Sequence, residues 1–142
     1  MMKHKLTVKQ KHWLKEIPKY KQAQGMLCDG KGFCCLGVYA HTQVEEPWEL
    51  DIDGHYFYVT NDSIFSNGGI LDSRDTAALG LKEEYGSFLD NNNTRTRLRF
   101  KGIMYEALTD LNDSGLISPK EMAAFIKVNA KYIFRQGGLN GN

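Results

Sequence analysis

A run of strand-forming residues interrupted by Asp53-Gly54 constrains the fold more than any other feature of the sequence. The segment reads WELDIDGHYFYVT, from Trp48 to Thr60. Aromatic and β-branched residues favour strands, and Asp-Gly favours the tight turn of a two-residue hairpin. We therefore predict two antiparallel strands, Trp48–Ile52 and His55–Val59, so the fold must include a sheet.

Helix-start signals lie on both sides of this predicted hairpin. Thr7 is followed three residues later by Gln10, which is the spacing of a capping box. Ser118 is followed by Pro119 and Glu121, which combines a cap, a proline in the first turn and a second capping box. The sequence therefore predicts one helix near each end of the chain.

These signals together predict an α+β fold, in which a small antiparallel sheet (the hairpin around Asp53-Gly54) packs with N-terminal and C-terminal helices. The length of 142 residues fits one compact domain. We predict a single α+β domain over residues 1–135 and a flexible tail over 136–142, where glycine and asparagine dominate.

The segment RTRLRF, residues 95–100, has two interpretations. Alternation with a period of two predicts a strand with Arg95, Arg97 and Arg99 on one face. The same residues also fit the approach to a helix covering Ile103–Leu111. The sequence leaves both alternatives open.

The segment GFCCLGV, from Gly32 to Val38, contains two adjacent cysteines. With Cys28 and His41 they do not give the paired spacing of a zinc site, so we predict no metal and no cofactor. A helix N-terminus lowers thiol pKa values, which would activate Cys34 or Cys35. Free cysteine is nevertheless among the most buried residue types, and we favour interior packing. We predict a helix around Leu36 to His41, and Gly37 within it indicates that another backbone approaches closely.

Charge and cysteine content exclude some classes of protein. A formal net charge of +1 does not suit a polycation that coats nucleic acid. The first residues lack the apolar core of an export signal, and the chain has no apolar run of membrane length. Three cysteines are an odd number, typical of free thiols in a reducing compartment. We expect a cytoplasmic protein without a membrane partner.

The segment LNDSG, from Leu111 to Gly115, is polar enough to suggest a site. It is better interpreted as the corner between two helices, with Gly115 turning the chain. Paired helices of this kind also occur in DNA-binding motifs. The second helix carries only three basic residues, so we predict no nucleic-acid partner; they are Lys120, Lys127 and Lys131.

Aromatic and arginine side chains give the strongest indication of ligand binding. Flat rings stack on a base, forked guanidinium groups bind phosphate, and the acidic residues near Trp48 would accept ribose hydroxyls. Alternatively, the rings fill the sheet's core face and the arginines pair with Glu45, Glu46 or Asp51 of a neighbouring subunit. The predicted ligand-binding residues are Trp48, His55, Tyr56, Tyr58, Arg95, Arg97 and Arg99.

GFCCLGV and LNDSG together resemble a group of small bacteriophage proteins, mostly without an assigned function. The resemblance implies a phage accessory protein that is expressed in a bacterial cytoplasm. Such proteins often counter host defences by blocking a host protein, or by sequestering or cleaving a nucleotide messenger. The resemblance supplies no catalytic residues.

From these features we expect a protein that sequesters a small nucleotide-derived defence signal without catalysis. A cyclic nucleotide or an ADP-ribose derivative is the expected ligand, bound by a homo-oligomer in the host cytoplasm. Two alternatives stay open. One is a small phosphodiesterase or hydrolase that uses His55 or Cys35; the other is a protein that blocks a host defence protein directly.

Overall fold

The computed structural model describes residues 5–43, 48–50, 52, 54–57, 71 and 73–135. Helices alternate with short strands, and the strands form two separate antiparallel hairpins, β1–β2 and β3–β4. The fold is therefore α+β, as the sequence predicts. The elements are α1 (Val8–Glu16), a 3-10 turn (Ile17–Lys19), α2 (Cys35–Gln43), β1 (Glu49–Leu50), β2 (Tyr56–Phe57), α3 (Ser73–Leu79), β3 (Leu98–Phe100), β4 (Ile103–Tyr105), α4 (Leu108–Asp113), α5 (Pro119–Val128) and α6 (Ala130–Ile133).

The capping box predicted at the start of α1 is present. Thr7 Oγ1 accepts from the Gln10 amide at 3.1 Å, and Gln10 Oε1 accepts from the Thr7 amide at 2.9 Å. Gln10 Nε2 also donates to the Leu79 carbonyl at 2.8 Å, which joins α1 to the end of α3. Trp13 and Ile17 are buried on the inner face of this segment.

Helix α2 is buried along most of its length, and its packing depends on Gly37. A Cβ atom at Gly37 would overlap the carbonyl oxygen of Leu27. The predicted close approach of another backbone is therefore confirmed. On its other side α2 receives a hydrogen bond of 2.7 Å from Trp13 Nε1 to the Cys35 carbonyl.

The predicted hairpin around Asp53-Gly54 is confirmed. Glu49 pairs with Phe57 and Leu50 pairs with Tyr56 in antiparallel register. The described strands are two residues long each, shorter than predicted. Asp53, Tyr58 and Val59 lie outside the described residues.

The arginine segment, for which the sequence allows a strand or the approach to a helix, enters a second hairpin, β3–β4. Arg99 pairs with Met104, and the chain turns at Lys101 and Gly102, both of which have positive φ angles. Exposed and half-buried residues alternate from Arg95 to Phe100. The strand alternative is thus confirmed for Leu98–Phe100, whereas Arg95 has only an isolated bridge to Leu89. A helix covering Ile103–Leu111 is wrong, because the first three of those residues form β4 and α4 begins only at Leu108.

The C-terminal helix starts as predicted, with Ser118 Oγ accepting from the Glu121 amide at 3.1 Å. The apolar stripe of the C-terminal helix, which the spacing of Met122, Phe125, Ile126, Asn129 and Ile133 predicts as continuous, is divided between α5 and α6, because Asn129 is not helical. The segment from Tyr85 to Leu89 has isolated bridges at Ser87 and Leu89.

Side chains from all six helices, including Trp13, Leu36 and Ile133, form one hydrophobic cluster. Cys28, Cys34 and Cys35 are free thiols with no more than 4% of their surface exposed. Their predicted interior packing is confirmed. Every helix in the described part of the chain falls short of what a membrane crossing requires.

Candidate functional site

An aromatic cluster lies where the end of α2 meets the β1–β2 hairpin. His41 stacks on Phe33 at 4.4 Å between ring centroids, and Tyr20 meets both rings edge-on at 5.4 and 5.5 Å. Trp48 is half-buried and tilts against Phe33 at 5.6 Å. We call these four residues, Tyr20, Phe33, His41 and Trp48, the aromatic cluster.

A hydrogen bond fixes the protonation of His41. Trp48 Nε1 donates to His41 Nδ1 at 3.1 Å, so Nδ1 is unprotonated and the neutral ring carries its proton on Nε2. Burial lowers the pKa of His41 below its usual value. Near neutral pH the imidazole is therefore an uncharged donor at the surface of the aromatic cluster.

Tyr56 joins this region through the turn before α2. A Cβ atom at Gly30 would lie 2.6 Å from Tyr56 Oη, so the phenol covers a glycine that also has a positive φ angle. Asp29 Oδ1 accepts from the amides of Lys31 and Gly32 at 2.8 Å each, and these bonds lower the pKa of the Asp29 carboxyl. The turn is thereby fixed, and it supports the half-buried Tyr56 ring.

The three arginines lie on the other hairpin. Arg95, Arg97 and Arg99 are exposed at alternate positions; Arg99 lies in β3, and Arg95 and Arg97 precede it. We call these three residues the arginine face. Arg97 Nε contacts Glu106 Oε2 at 3.2 Å, and about two thirds of its side chain is exposed (66%). An exposed pair of this kind is worth about 0.2–1 kcal/mol, so an anionic ligand displaces it readily.

The predicted site residues therefore form two groups with different neighbours. Trp48 and Tyr56 contact the α2 end and the turn before it, whereas the β3–β4 hairpin packs on α5 through Phe100 and Phe125. His55 is exposed beside Tyr56. Tyr58 lies outside the described residues.

The sequence interpretation missed the contribution of Tyr20 and Phe33 to this site, and it treated His41 only as a possible metal ligand. Phe33 was assigned to the core segment of the cysteines, although it is only half-buried. Phe33 lies before α2, in isolated bridges with Gln22 and Cys28, so no helical spacing relates it to His41 and their contact has no local sequence signal.

The surroundings of Cys34 and Cys35 indicate a role in packing. Desolvation raises the pKa of Cys34 to about 12 and raises that of Cys35 well above its usual value. Cys34 Sγ accepts from the Gly37 amide at 3.3 Å, and Asn112 Oδ1 accepts from the Cys35 amide at 3.2 Å. Both thiols are protonated at neutral pH and serve the packing of the α2 start.

Asn112, from the LNDSG segment, is a buried hydrogen-bonding centre. Besides Cys35, its Oδ1 accepts from Gln22 Nε2 at 3.3 Å, and its Nδ2 donates to the Ala23 carbonyl at 2.7 Å. Gly115 turns the chain after α4 with a φ of 74°, so the predicted corner between helices is confirmed. The two sequence motifs are thus in direct contact.

A small cavity lies beside these residues. Its volume is about 10 Å³, and Gln22, Phe33 and Asn112 are among the residues that line it. A volume of this size has room for about one water molecule. This cavity is therefore too small for a nucleotide-sized ligand.

These features define a small α+β protein with a buried cysteine motif and surface aromatic and arginine groups. The chain belongs to the DUF8296 family, described as a domain of unknown function, which matches residues 2–130. Neither the curated proteins nor the solved structures include a significant match to the chain.

Proposed function

We propose that this protein binds and sequesters a small nucleotide-derived signal without changing it chemically. In this proposal it is a phage accessory protein that acts in the cytoplasm of the bacterial host and withdraws a defence signal. A cyclic nucleotide or an ADP-ribose derivative is the expected ligand. The proposal combines the resemblance to phage proteins with the chemistry of the two surface groups.

The arginine face carries the proposal. Arg95 and Arg99 are exposed, and no ion pair of theirs is present among the described residues. A guanidinium group offers a planar fork of donors that matches phosphate oxygens, and such charge-assisted bonds are about twice as strong as neutral ones. Three such groups at alternate, exposed positions would supply an anion-binding surface.

Aromatic residues supply the second half of the recognition. Trp48 and Tyr56 are each half-buried, so part of each side chain reaches the surface. Stacking of a base on such a ring is worth about 1–3 kcal/mol. The exposed His55 and the Nε2 proton of His41 add donors for sugar or phosphate oxygens.

The states of the thiols favour binding over catalysis. A cysteine nucleophile needs a thiolate, and burial keeps Cys34 and Cys35 protonated. His41 Nδ1 already accepts from Trp48, so a general base at this position would have to break that bond. The hydrolase alternative then depends on His55.

Isothermal titration against cyclic nucleotides and ADP-ribose derivatives tests the proposal. We expect binding by the native protein, about a tenfold loss for Arg99→Ala and partial recovery for Arg99→Lys. Lys127→Ala, which removes an exposed cation from α5, is the matched control and should bind normally. Heat released by none of these ligands would overturn the proposal.

Recovery of the ligand separates sequestration from cleavage. After binding, the protein is denatured by heat and the released molecule is compared with the starting ligand by mass spectrometry. Sequestration returns it unchanged. Turnover at sub-stoichiometric protein that His55→Ala abolishes would instead establish the hydrolase.

A further inference from the structure

The outer sides of α1 and α5 are rich in lysine. Residues 5–19 contain five lysines and one acidic residue, and residues 119–133 contain three lysines and one acidic residue. These helices therefore carry a strong local excess of positive charge. We call the exposed lysines of the two helices the lysine surface; they are Lys9, Lys11, Lys15, Lys120 and Lys127.

The two helices lie side by side, because contacts at two levels join them. Ile17, directly after α1, lines the small cavity together with Pro119 and Met122 from the start of α5. Trp13, in the middle of α1, meets Phe134, which follows α6, at 6.1 Å between ring centroids. Helix α1 therefore runs antiparallel to the α5–α6 segment, and the lysine surface belongs to one pair of neighbouring helices.

The charge of the lysine surface is not neutralised within the described part of the chain. The two acidic residues of these segments contact other cations: Glu16 Oε2 lies 2.7 Å from Lys19 Nζ, and Glu121 Oε2 lies 3.1 Å from Lys101 Nζ. The formal net charge of the whole chain is only +1, so the charge outside the lysine surface is negative on balance. The field of such a molecule turns its lysine surface toward an anionic partner.

The composition of these helices favours a phosphate backbone over a protein or a membrane as the partner. Stable protein interfaces have an apolar centre and are depleted in lysine. Helices that bind membrane surfaces insert large apolar side chains such as Trp, Phe and Leu. On α1 and α5 the large apolar residues that are well exposed are Val8 and Val128, at 75% and 81%. Lysine, in contrast, is a common ligand of phosphate, which it contacts as a point charge.

We propose that the lysine surface binds the phosphate backbone of double-stranded nucleic acid without reading its sequence. Lys11 and Lys15 lie about 6 Å apart along α1, and Lys120 and Lys127 lie about 10 Å apart along α5. A duplex carries about one charge per 1.7 Å of its axis, so each lysine can meet a separate phosphate. The expectation of no nucleic-acid partner considers the lysines of the second helix alone, and the packing of α1 beside α5 adds three more. The contact does not involve the arginine face, so it is independent of the proposed ligand.

Fluorescence anisotropy of a short labelled DNA duplex, titrated with the ligand-free protein, tests this contact. The logarithm of the binding constant should fall linearly with the logarithm of the salt concentration. We expect a slope of about −3 to −4.5, since each neutralised phosphate contributes about −0.9 and the lysine surface supplies five cations. Duplexes of unrelated sequence should bind equally, because phosphate contacts carry no sequence information. A protein that binds no duplex even at low salt would overturn the proposal.

Two charge reversals locate the contact on the protein. In Lys11→Glu the new carboxylate removes one cation and pairs with Lys15 one turn later, so the helix is retained. The salt slope should become less steep by about 1 to 2, and the affinity should fall about tenfold. Lys31→Glu is the matched control, because it makes the same change at an exposed residue of the turn before α2 and should bind like the native protein. Equal losses in both variants would show that binding follows the net charge, which would overturn the proposal.

Two further anionic probes separate the duplex from other partners. Polyglutamate and vesicles that contain phosphatidylserine should each bind more weakly than the duplex at the same salt concentration. Tighter binding of polyglutamate would assign the lysine surface to an acidic protein, and tighter binding of the vesicles would assign it to a membrane; either result would overturn the proposal. Lys11→Glu should bind the small nucleotide ligands like the native protein, so a failure of this proposal is distinguishable from a failure of the proposed function.

Discussion

The side chain of Asn112 connects the start of α2 with the segment before it. Replacement by alanine leaves the Ala23 carbonyl and the Cys35 amide buried without these partners. Each unsatisfied buried group costs about 1–3 kcal/mol, so Asn112→Ala should lower the free energy of unfolding by about 3 kcal/mol. Urea denaturation of the native protein and of the variant measures this difference in the free energy of unfolding. Asn129→Ala is the control, because half-buried Asn129 makes only one such bond and should cost less than half as much.

His41 makes stability depend on pH. Because burial lowers the pKa of folded His41, the unfolded chain binds the proton more tightly. The contribution of neutral His41 is present above the unfolded pKa of about 6.5 and is lost as the pH falls through the folded pKa. The free energy of unfolding should therefore decrease from about pH 7 to about pH 5, which lie on either side of that value.

The Trp48 indole proton reports the same event. Protonated His41 carries hydrogen on both ring nitrogens and no longer accepts from Trp48. The Trp48 N–H resonance, assigned with Trp48→Phe, should shift as His41 titrates. His41→Gln keeps an acceptor without a titrating group, so its resonance should stay constant with pH. A shift that persists in this variant would contradict the assignment to His41.

At the residue level, the sequence predicted which side chains are buried better than it predicted their hydrogen-bond partners. Two adjacent cysteines among apolar neighbours indicate interior packing, and both are buried. Asn112 looks like an ordinary helix end, because its partners Cys35 and Gln22 are 77 and 90 residues away. A hydrogen bond across that separation has no local sequence signal.

Helix α2 contains a glycine that packing requires. Helix propensity alone makes alanine better than glycine by about 1 kcal/mol. At Gly37, however, the added methyl group would overlap the Leu27 carbonyl oxygen. We expect Gly37→Ala to lower the melting temperature, because the backbone segments must separate. A variant more stable than the native protein would show that this contact is not needed.

The sequence predicted where helices begin. It was less able to predict where they end and which strands pair. The capping boxes at Thr7 and Ser118 are local chemistry and are present as predicted. The break at Asn129 was missed, because its apolar stripe continues into α6. The arginine segment was ambiguous because Arg and Leu suit both element types, and its pairing with β4 decides the outcome.

At the scale of the whole molecule, the thiols report global unfolding. Cys34 and Cys35 are no more than 4% exposed, and burial keeps them protonated. A disulfide reagent such as Ellman's should therefore label them only as fast as the chain unfolds globally. Labelling rates and unfolding rates should agree across urea concentrations. Rapid labelling of either thiol in native buffer would contradict this, and the urea-denatured chain serves as the control.

The tertiary arrangement of the candidate site was the least predictable feature. Trp48, Tyr56 and the arginines belong to one ligand-binding set in the sequence, but the structure gives them different neighbours. Which hairpin packs on α2 and which on α5 depends on long-range contacts. Residue types alone therefore identified the chemistry of these surfaces and not their arrangement.

The reactivity of Lys82 makes it possible to follow the packing of α6 by experiment. Its ammonium donates to the carbonyls of Leu89 and Lys131 at 2.9 and 2.7 Å, and burial lowers its pKa. Every other lysine among the described residues is exposed. In amine-acylation footprinting, Lys82 should therefore be the protected lysine, and its gain of reactivity would mark the moment at which α6 detaches.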